Sequence, residues 1–398
     1  MAKALPFPSF EAPPEEKSPD VLIVAGEHSG DQHAAELVHA LRKEKPDATI
    51  SCLGGPALKA AGVQLLFDLT DSSVVGFVEV VKHYGFFKQL FKETLRWIEE
   101  WKPKVICFID YPGFNLRLAD ALAKKKLTKK SGGDITLAYY ISPQIWAWKG
   151  KRRFKMAKLL DSLAVIFPFE VDCYKDTDLP VAFVGHPYVQ EGYKSPLTYD
   201  ITAPVLMTPG SRKQAISRIF PRMLNAFQAF RKSMPGSRAI VPYPTEELKL
   251  YLEDILKEYP DIQESVQLIP FSGGMKASAV LASSGTMSLT CALAGIPGTI
   301  CYVAHPWTYR LGRMLVKIEY LGIANLLLPK TPIYREYLQN EANVDNLLNE
   351  LNAAYMPDQV QNTQYISNRL KELLSVPADH SPAQWLLGLL NGDVLNDR

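Results

Sequence analysis

Four short segments combine side chains that do chemistry with the turn residues that would hold them. The first is Gly26-Glu-His-Ser-Gly-Asp31, directly after the apolar run VLIVA. A dinucleotide-binding turn needs GxGxxG, whose second glycine lets the backbone meet the pyrophosphate; here the spacing is GxxxGD. Glu27 and Asp31 would repel a nearby phosphate. Two carboxylates and the Ser29 hydroxyl suit neutral sugar hydroxyls better. The plainer alternative is that Ser29 or Asp31 caps the helix that follows while the glycines shape the turn; the two roles can coexist.

The second segment is Ile109-Asp-Tyr-Pro-Gly-Phe-Asn115. A lone carboxylate leaving a buried strand into a rigid Pro-Gly turn is fixed in place and partly desolvated, which raises its pKa toward general-base duty. Alternatively, Asp110 accepts turn amides and Asn115 caps the next helix. The third is Thr208-Pro-Gly-Ser-Arg212, with Ser283-Ser-Gly-Thr286 as its partner. Both lie between a strand pattern and a helix pattern. Backbone N–H groups at a helix start attract anions, and Arg212 adds a bidentate donor, so two such loops could grip a diphosphate. The fourth is Tyr140-Ile-Ser-Pro-Gln-Ile-Trp-Ala-Trp-Lys149, followed by GKRRFK. Trp146 and Trp148 either fill a core or wall a sugar site. One metal candidate, Asp176-Thr-Asp178, precedes a strand and is expected to be a solvated turn, so no metal is expected.

These segments need a scaffold. Strand-like runs alternate with helical ones from Asp20 to about Gly185 and again from about Pro204, which predicts parallel sheets covered on both faces. In such sheets ligands bind beyond the carboxyl ends of the strands, where all four segments fall. The 398 residues suffice for two domains. The expected division is a proline- and acid-rich flexible extension at 1–19, a first Rossmann-like domain at 20–190, a second at 200–331 and a helical tail at 332–398. Residues 188–203 are expected to be the linker. The tail is expected to pack back across the first domain or onto a second subunit.

Composition narrows the function. A net charge of +2 with 47% apolar and 22% charged residues gives no reason to expect nucleic-acid binding. Five scattered cysteines without CxxC spacing suggest reduced thiols in a cytoplasm, with neither disulfide framework nor zinc site. No apolar run reaches the ~18 residues of a membrane-spanning helix. The segment 76–92 interleaves apolar residues, among them Val78, Val81, Phe86 and Phe87, with Lys82, His83, Lys88 and Lys92. Part of it makes a helical core stripe; the remainder suits contact with anionic lipid.

Taken in order, AGEHSGD, GFVEV, IDYPGFN, YYISPQIWAWKGKR, FPFE, FVGH, PGSR, SSGT and IANLLLP resemble the lipid A disaccharide synthase family from about residue 20 to 340. The resemblance implies a GT-B fold, two Rossmann-like domains facing across a cleft, with the nucleotide sugar on the second. It implies inverting, metal-independent and cofactor-free transfer from UDP-2,3-diacylglucosamine to 2,3-diacylglucosamine 1-phosphate (lipid X), giving a β(1→6) disaccharide phosphate and UDP. The family works at the cytoplasmic face of the Gram-negative inner membrane, as a peripheral protein. Carried onto this sequence, Asp110 matches the family's candidate base, and Arg212 and Asn325 match residues on which activity depends. Gln339 matches a family glutamine. Gly210, Ser211, Ser283, Ser284, Gly285 and Thr286 fall with the UDP-binding loops. Glu27, Ser29, Asp31, Glu79, Asn115, Ser142, Trp146 and Trp148 fall on the acceptor or cleft side. One position departs: the family has a ribose-binding glutamate where this chain has Thr290, which puts donor affinity in doubt. Competing readings are a hydrolysing UDP-sugar 2-epimerase on the same fold, and a nucleotide-sugar-binding protein that has lost catalysis.

Overall fold

The computed structural model describes residues 9–70, 84–305, 309 and 319–397. Val78, Glu79 and Val81, expected at the acyl and acceptor side, lie outside the described residues. The chain forms two compact units, one running to Pro187 and resuming at Val376, the other Tyr188–Ser375.

Among the described residues the first unit is built on a parallel sheet of seven strands: β1 (Val21–Ala25), β2 (Ile50–Gly54), β3 (Gln64–Asp68), β4 (Val105–Ile109), β5 (Thr136–Tyr140), β6 (Ser162–Val165) and β7 (Val181–Phe183). Their spatial order is β3-β2-β1-β4-β5-β6-β7. β1 pairs with both β2 and β4, so the winding reverses there, and the crevice above that point is where a doubly wound sheet takes its ligand. β1, β2, β4 and β5 are buried at every residue, as apolar strands covered on both faces must be. The covering helices include α1 (His28–Glu44), α2 (Pro56–Ala60), α3 (Tyr84–Trp101), α4 (Pro112–Lys124) and α5 (Arg152–Leu159). The largest side chains of the core beneath them include Trp97, Tyr139, Tyr174 and Phe108.

The second unit repeats the plan. Its parallel sheet runs β11-β10-β9-β13-β14-β15, with β9 (Val205–Thr208), β10 (Ala239–Tyr243), β11 (Val266–Pro270), β13 (Ala279–Ala282), β14 (Gly298–Tyr302) and β15 (Arg335–Leu338). A separate parallel pair joins β8 (Leu197–Tyr199) to β12 (Met275–Ala277). The helices of this unit include α6 (Lys213–Ser233), α7 (Glu246–Leu256), α8 (Thr286–Leu293), α9 (Ile323–Leu327), α10 (Val344–Ala353) and α11 (Pro357–Leu374). A final helix, α12 (Pro382–Asn391), belongs to the first unit. There the buried Trp385 indole donates to Ser162 Oγ at 2.8 Å.

Three details differ from the sequence reading. Residues 9–19 are docked, not loose: Phe10 is buried in the first core, its N–H donates to Glu93 Oε1 at 2.9 Å, and the Trp97 indole donates to the Glu11 carbonyl at 2.8 Å. One buried ring and two long-range hydrogen bonds offset the ordering cost that composition alone suggested would not be met. The expected linker supplies β8. The expected all-helical region after Pro332 begins with the edge strand β15, whose polar sequence REYL suits a strand paired on one side only.

Candidate active site

In the first unit, β4 ends at Ile109, and Asp110 and Tyr111 both take left-handed backbone, φ +43° and +45°. Each costs a non-glycine residue on the order of 1–2 kcal/mol, so the surroundings must hold them. The Tyr111 ring lies against Gly26: a Cβ there would sit 2.1 Å from a ring carbon, so this turn needs glycine for close approach. The Asp110 carbonyl accepts from Asn115 Nδ2 at 2.8 Å and also from the Tyr139 hydroxyl, and the Asp110 N–H donates to the Tyr140 carbonyl at 3.2 Å. The carboxylate is thereby mounted on a backbone fixed from three sides. Burial, and then the negative charge of Glu27, pushes its pKa up to about 6, against the opposing Tyr111 amide and His33. Such a group is mostly ionised at pH 7 yet a stronger base than a solvated aspartate.

Asn115, expected on the acceptor side, is fully buried and directs its amide at the Asp110 carbonyl, with longer 3.4 Å contacts to the Val24 and Ile109 carbonyls. It positions the aspartate and does not line a surface. Asp31 is corrected likewise. Its buried carboxylate accepts from the N–H groups of Gly55 (2.7 Å), Ala57 (2.8 Å) and Leu58 (3.2 Å), so it caps α2, a helix remote in sequence, and not its own. Glu27 and Ser29 remain exposed at the start of α1. Ser142 is buried and bonds Tyr174 Oη at 2.8 Å and the Pro143 carbonyl at 3.0 Å, a structural hydroxyl. Trp146 is half-buried, edge-on to Phe169, while Trp148 is 52% exposed.

The sequence reading missed two titratable residues beside this edge, although FPFE and FVGH carried them. Glu170 is buried just beyond β6, accepting from the Phe167 N–H at 3.2 Å and the Trp146 indole at 3.3 Å. Burial chiefly, with a contribution from the charge of Asp110, pushes its carboxyl up to about 8. His186, just past β7, lies against the Phe167 ring; burial first, then His33, pushes its imidazole down to about 3, so it stays neutral at pH 7. Applying the strand-end rule to β6 and β7, as was done for β1 and β4, would have found both.

In the second unit β9 and β13 are neighbours, with Thr208 opposite Ala282, so the loops after them meet. A Cβ on Gly210 would lie 3.5 Å from Ser283 Oγ. Gly210 (φ +112°) and Gly285 (φ +145°) take backbone that side chains disfavour, which lets each loop turn into its helix. Gly210, Ser211, Arg212, Gly285 and Thr286 are exposed, Ser283 and Ser284 half-buried. Arg212 is the N-cap of α6, where the helix start and a guanidinium both favour an anion. Beneath the loops the buried Thr208 Oγ1 has no hydrogen-bond partner among the described residues.

Three expected residues of this unit are spent on the protein. Thr290 is buried, its hydroxyl donating to the Thr286 carbonyl one turn back at 3.2 Å. Asn325 is fully buried: Nδ2 donates to the Tyr334 carbonyl and to Glu336 Oε1, both at 2.8 Å, and Oδ1 accepts from the Tyr334 N–H at 3.2 Å. With both amide ends engaged it ties α9 to the start of β15. Gln339, left-handed at φ +55°, clasps Ala304 with both ends of its amide, at 2.8 and 3.2 Å.

Among the described residues no three His, Cys, Asp or Glu side chains are grouped to hold a metal, and Asp176 forms a two-point ion pair with Arg153. The five cysteines are free thiols, and burial raises the pKa of each, which makes them poor nucleophiles. Phe86 and Phe87 are half-buried at the start of α3, and Phe86 packs on the core and on Phe67. No described helix is long and apolar enough to cross a membrane.

Comparison with known proteins bears on the family and the fold. The family model described as Lipid-A-disaccharide synthetase matches residues 21–385. Lipid-A-disaccharide synthase 1 of Legionella pneumophila (strain Lens) is 37% identical over 370 residues, covering 89% of this chain and 93% of that protein. Lipid-A-disaccharide synthase of Trichlorobacter lovleyi is 36% identical, covering 83% and 86%. Among solved structures, the UDP-GlcNAc 2-epimerase of Neisseria meningitidis bound to UDP-GlcNAc superposes with a TM-score of 0.59 at 10% identity, covering 94% of this chain and all of that one. The glycotransferase of kitacinnamycin superposes with a TM-score of 0.57 at 11% identity, covering 92% and 97%. At such identities the two structures speak for a shared fold, the GT-B class, and bring no chemistry with them.

Proposed function

The chain belongs to the lipid-A-disaccharide synthetase family and is a glycosyltransferase of lipid A biosynthesis, and from that premise we propose how its residues divide the work. The donor is UDP-2,3-diacylglucosamine and the acceptor 2,3-diacylglucosamine 1-phosphate. Asp110 removes the proton from the acceptor's 6-hydroxyl as that oxygen attacks the donor's anomeric carbon from the face opposite UDP. The new C–O bond forms as the bond to UDP breaks, which inverts the centre and gives a β(1→6) disaccharide. Arg212 and the amides of the two glycine loops offset the negative charge gathering on UDP. Asn325 and Gln339 contribute by holding backbone near the donor side, and Asn115 by holding Asp110. Glu27 and Ser29 meet acceptor hydroxyls. No metal is assigned to the step; activity abolished by a chelator and restored by a divalent ion would overturn that. The protein acts on lipid substrates at the inner face of the inner membrane, with the segment around Phe86 and Phe87 on the lipid side.

The observation that carries this reading is the carboxylate of Asp110, held on a strained backbone at the switch point of the first sheet with a pKa near 6. The direct test is incubation with both substrates and detection of the disaccharide and UDP. Asp110→Asn keeps the hydrogen-bonding frame, which uses the main chain, and removes the base; kcat is expected to fall by roughly 10²–10⁴. A folded variant with near-normal kcat would rule Asp110 out.

A further inference from the structure

Just past Asp110 lies a cavity of about 590 Å³ that the reaction above does not use. Its walls are the first turn of α4, from Pro112 to Arg117, and the segment Lys149–Lys155 that enters α5. Arg117, Lys149, Lys151, Arg152 and Lys155 line it, and no acid does. Among the described residues none of the five is in an ion pair, whereas the adjacent Arg153 is neutralised by Asp176. Lys155 feels the charge of nearby Asp120, and Lys149 and Arg152 lie over the Trp148 ring, but five cations around one hollow still repel one another, and an anion relieves that repulsion. The start of α4, a helix of 13 residues, adds the positive end of its dipole to the same space. Lys149 is left-handed at φ +52°, and its ammonium sits 4.3 Å from the centre of the exposed Trp148 ring, so cation and indole form one rim.

Position gives the cavity a meaning. Pro112 and Gly113 follow Asp110 by two and three residues. The field of Arg152 reaches the Tyr139 hydroxyl, which donates to the Asp110 carbonyl. We propose that this cavity is the subsite for the phosphate monoester of the acceptor sugar, with Arg117 and Arg152 as its principal donors. The proposal rests on the glycosyl-transfer reading above and deepens it. The two carbons that flank the ring oxygen of a sugar 1-phosphate carry, one the phosphate, and the other the hydroxymethyl group that ends in the primary hydroxyl. Anchoring the phosphate in the cavity therefore leaves the hydroxyl beside Asp110. It also explains how one diacylglucosamine is told from another: the acceptor ends in a monoester of about −1.5 to −2 charge, whereas the donor's phosphates are esterified on both sides and belong to the loops of the second unit. The step is binding only; no bond is made or broken there.

The test measures binding of lipid X, and of the same lipid lacking its 1-phosphate, in neutral detergent micelles, for the wild type and for Arg117→Gln/Arg152→Gln. The wild type is expected to bind the phosphorylated lipid at least about tenfold more tightly, and the double variant to lose that preference while binding the dephosphorylated lipid equally well. Arg117→Lys/Arg152→Lys, which keeps the charge, is expected to recover part of it. In turnover the double variant should show a raised acceptor KM and an unchanged donor KM. A wild type with no preference for the phosphate, or a double variant that keeps it, overturns the proposal. So does an effect seen only on vesicles containing phosphatidylglycerol, since the cations would then be serving membrane headgroups. If the wild type shows the preference, loses it in the variant, and yet forms no disaccharide, the subsite stands and the transfer reading fails.

Discussion

At the carboxyl ends of β1 and β4 the chain is crowded: two consecutive left-handed residues, a tyrosine ring pressed on a glycine, and one aspartate carbonyl bound by two side chains. At the ends of β9 and β13 the same strand-turn-helix geometry is open, with exposed glycine and serine loops, an exposed arginine and an unpartnered threonine hydroxyl below. On the proposed division of work, the difference follows from what each side would have to hold. A general base works only if one carboxylate stays desolvated and fixed, so the first unit stores strain and buries acid. A diphosphate brings its own charge and shape, so the second unit needs only donors and room. One scaffold serves both because the loops, not the sheets, carry the chemistry.

The contrast can be broken by disturbing each side. After Asp110→Asn, removing the open side's cation has the largest expected effect: Arg212→Ala should lower kcat by roughly 10²–10³ through lost leaving-group stabilisation, with the fold intact by thermal melting. An equal loss of kcat with a substrate whose leaving group is already neutral would contradict it. On the crowded side Gly26→Ala forces the Tyr111 ring away. About 1–3 kcal/mol of stability should be lost to overpacking, and kcat should fall by up to about 10²-fold as Asp110 shifts. The same substitution at Gly113, which has open space around it, should be mild by comparison.

A smaller effect concerns pH. Protonated Asp110 cannot act as base, so kcat/KM should fall as pH drops through about 6. Glu27 raises that pKa by its charge, so Glu27→Gln should move the acid limb to lower pH; no movement would remove Glu27 from the site's electrostatics. The linked stability has the opposite sense. The folded chain holds the Asp110 proton more tightly than an unfolded chain with a pKa of about 3.9, so this group's contribution declines as pH rises from about 4 to 6. Asp110→Asn should therefore gain on the wild type above that window in a melting series. The smallest effect is Thr290→Ala. Because its hydroxyl serves its own helix, donor KM should change by less than about twofold; a large change would return Thr290 to the donor site.

Much of this was legible in the sequence. Alternating apolar strands and amphipathic helices implied two parallel, doubly wound sheets, because a strand buried on both faces leaves no other pattern. That Asp110 and Arg212 sit in the turns after β4 and β9 was legible because each lies close to a Pro-Gly pair just beyond a strand. What only the tertiary structure decided is where polar atoms are spent. Asp31 was read as a sugar contact or as the cap of its own helix and caps another one 24 residues on. Asn325 and Gln339 matched family positions but hold backbone, and Glu170 hid in a short helix until burial exposed its character. Residue type states what a side chain can donate or accept. Which partner it meets depends on segments that are distant along the chain and adjacent only once it has folded.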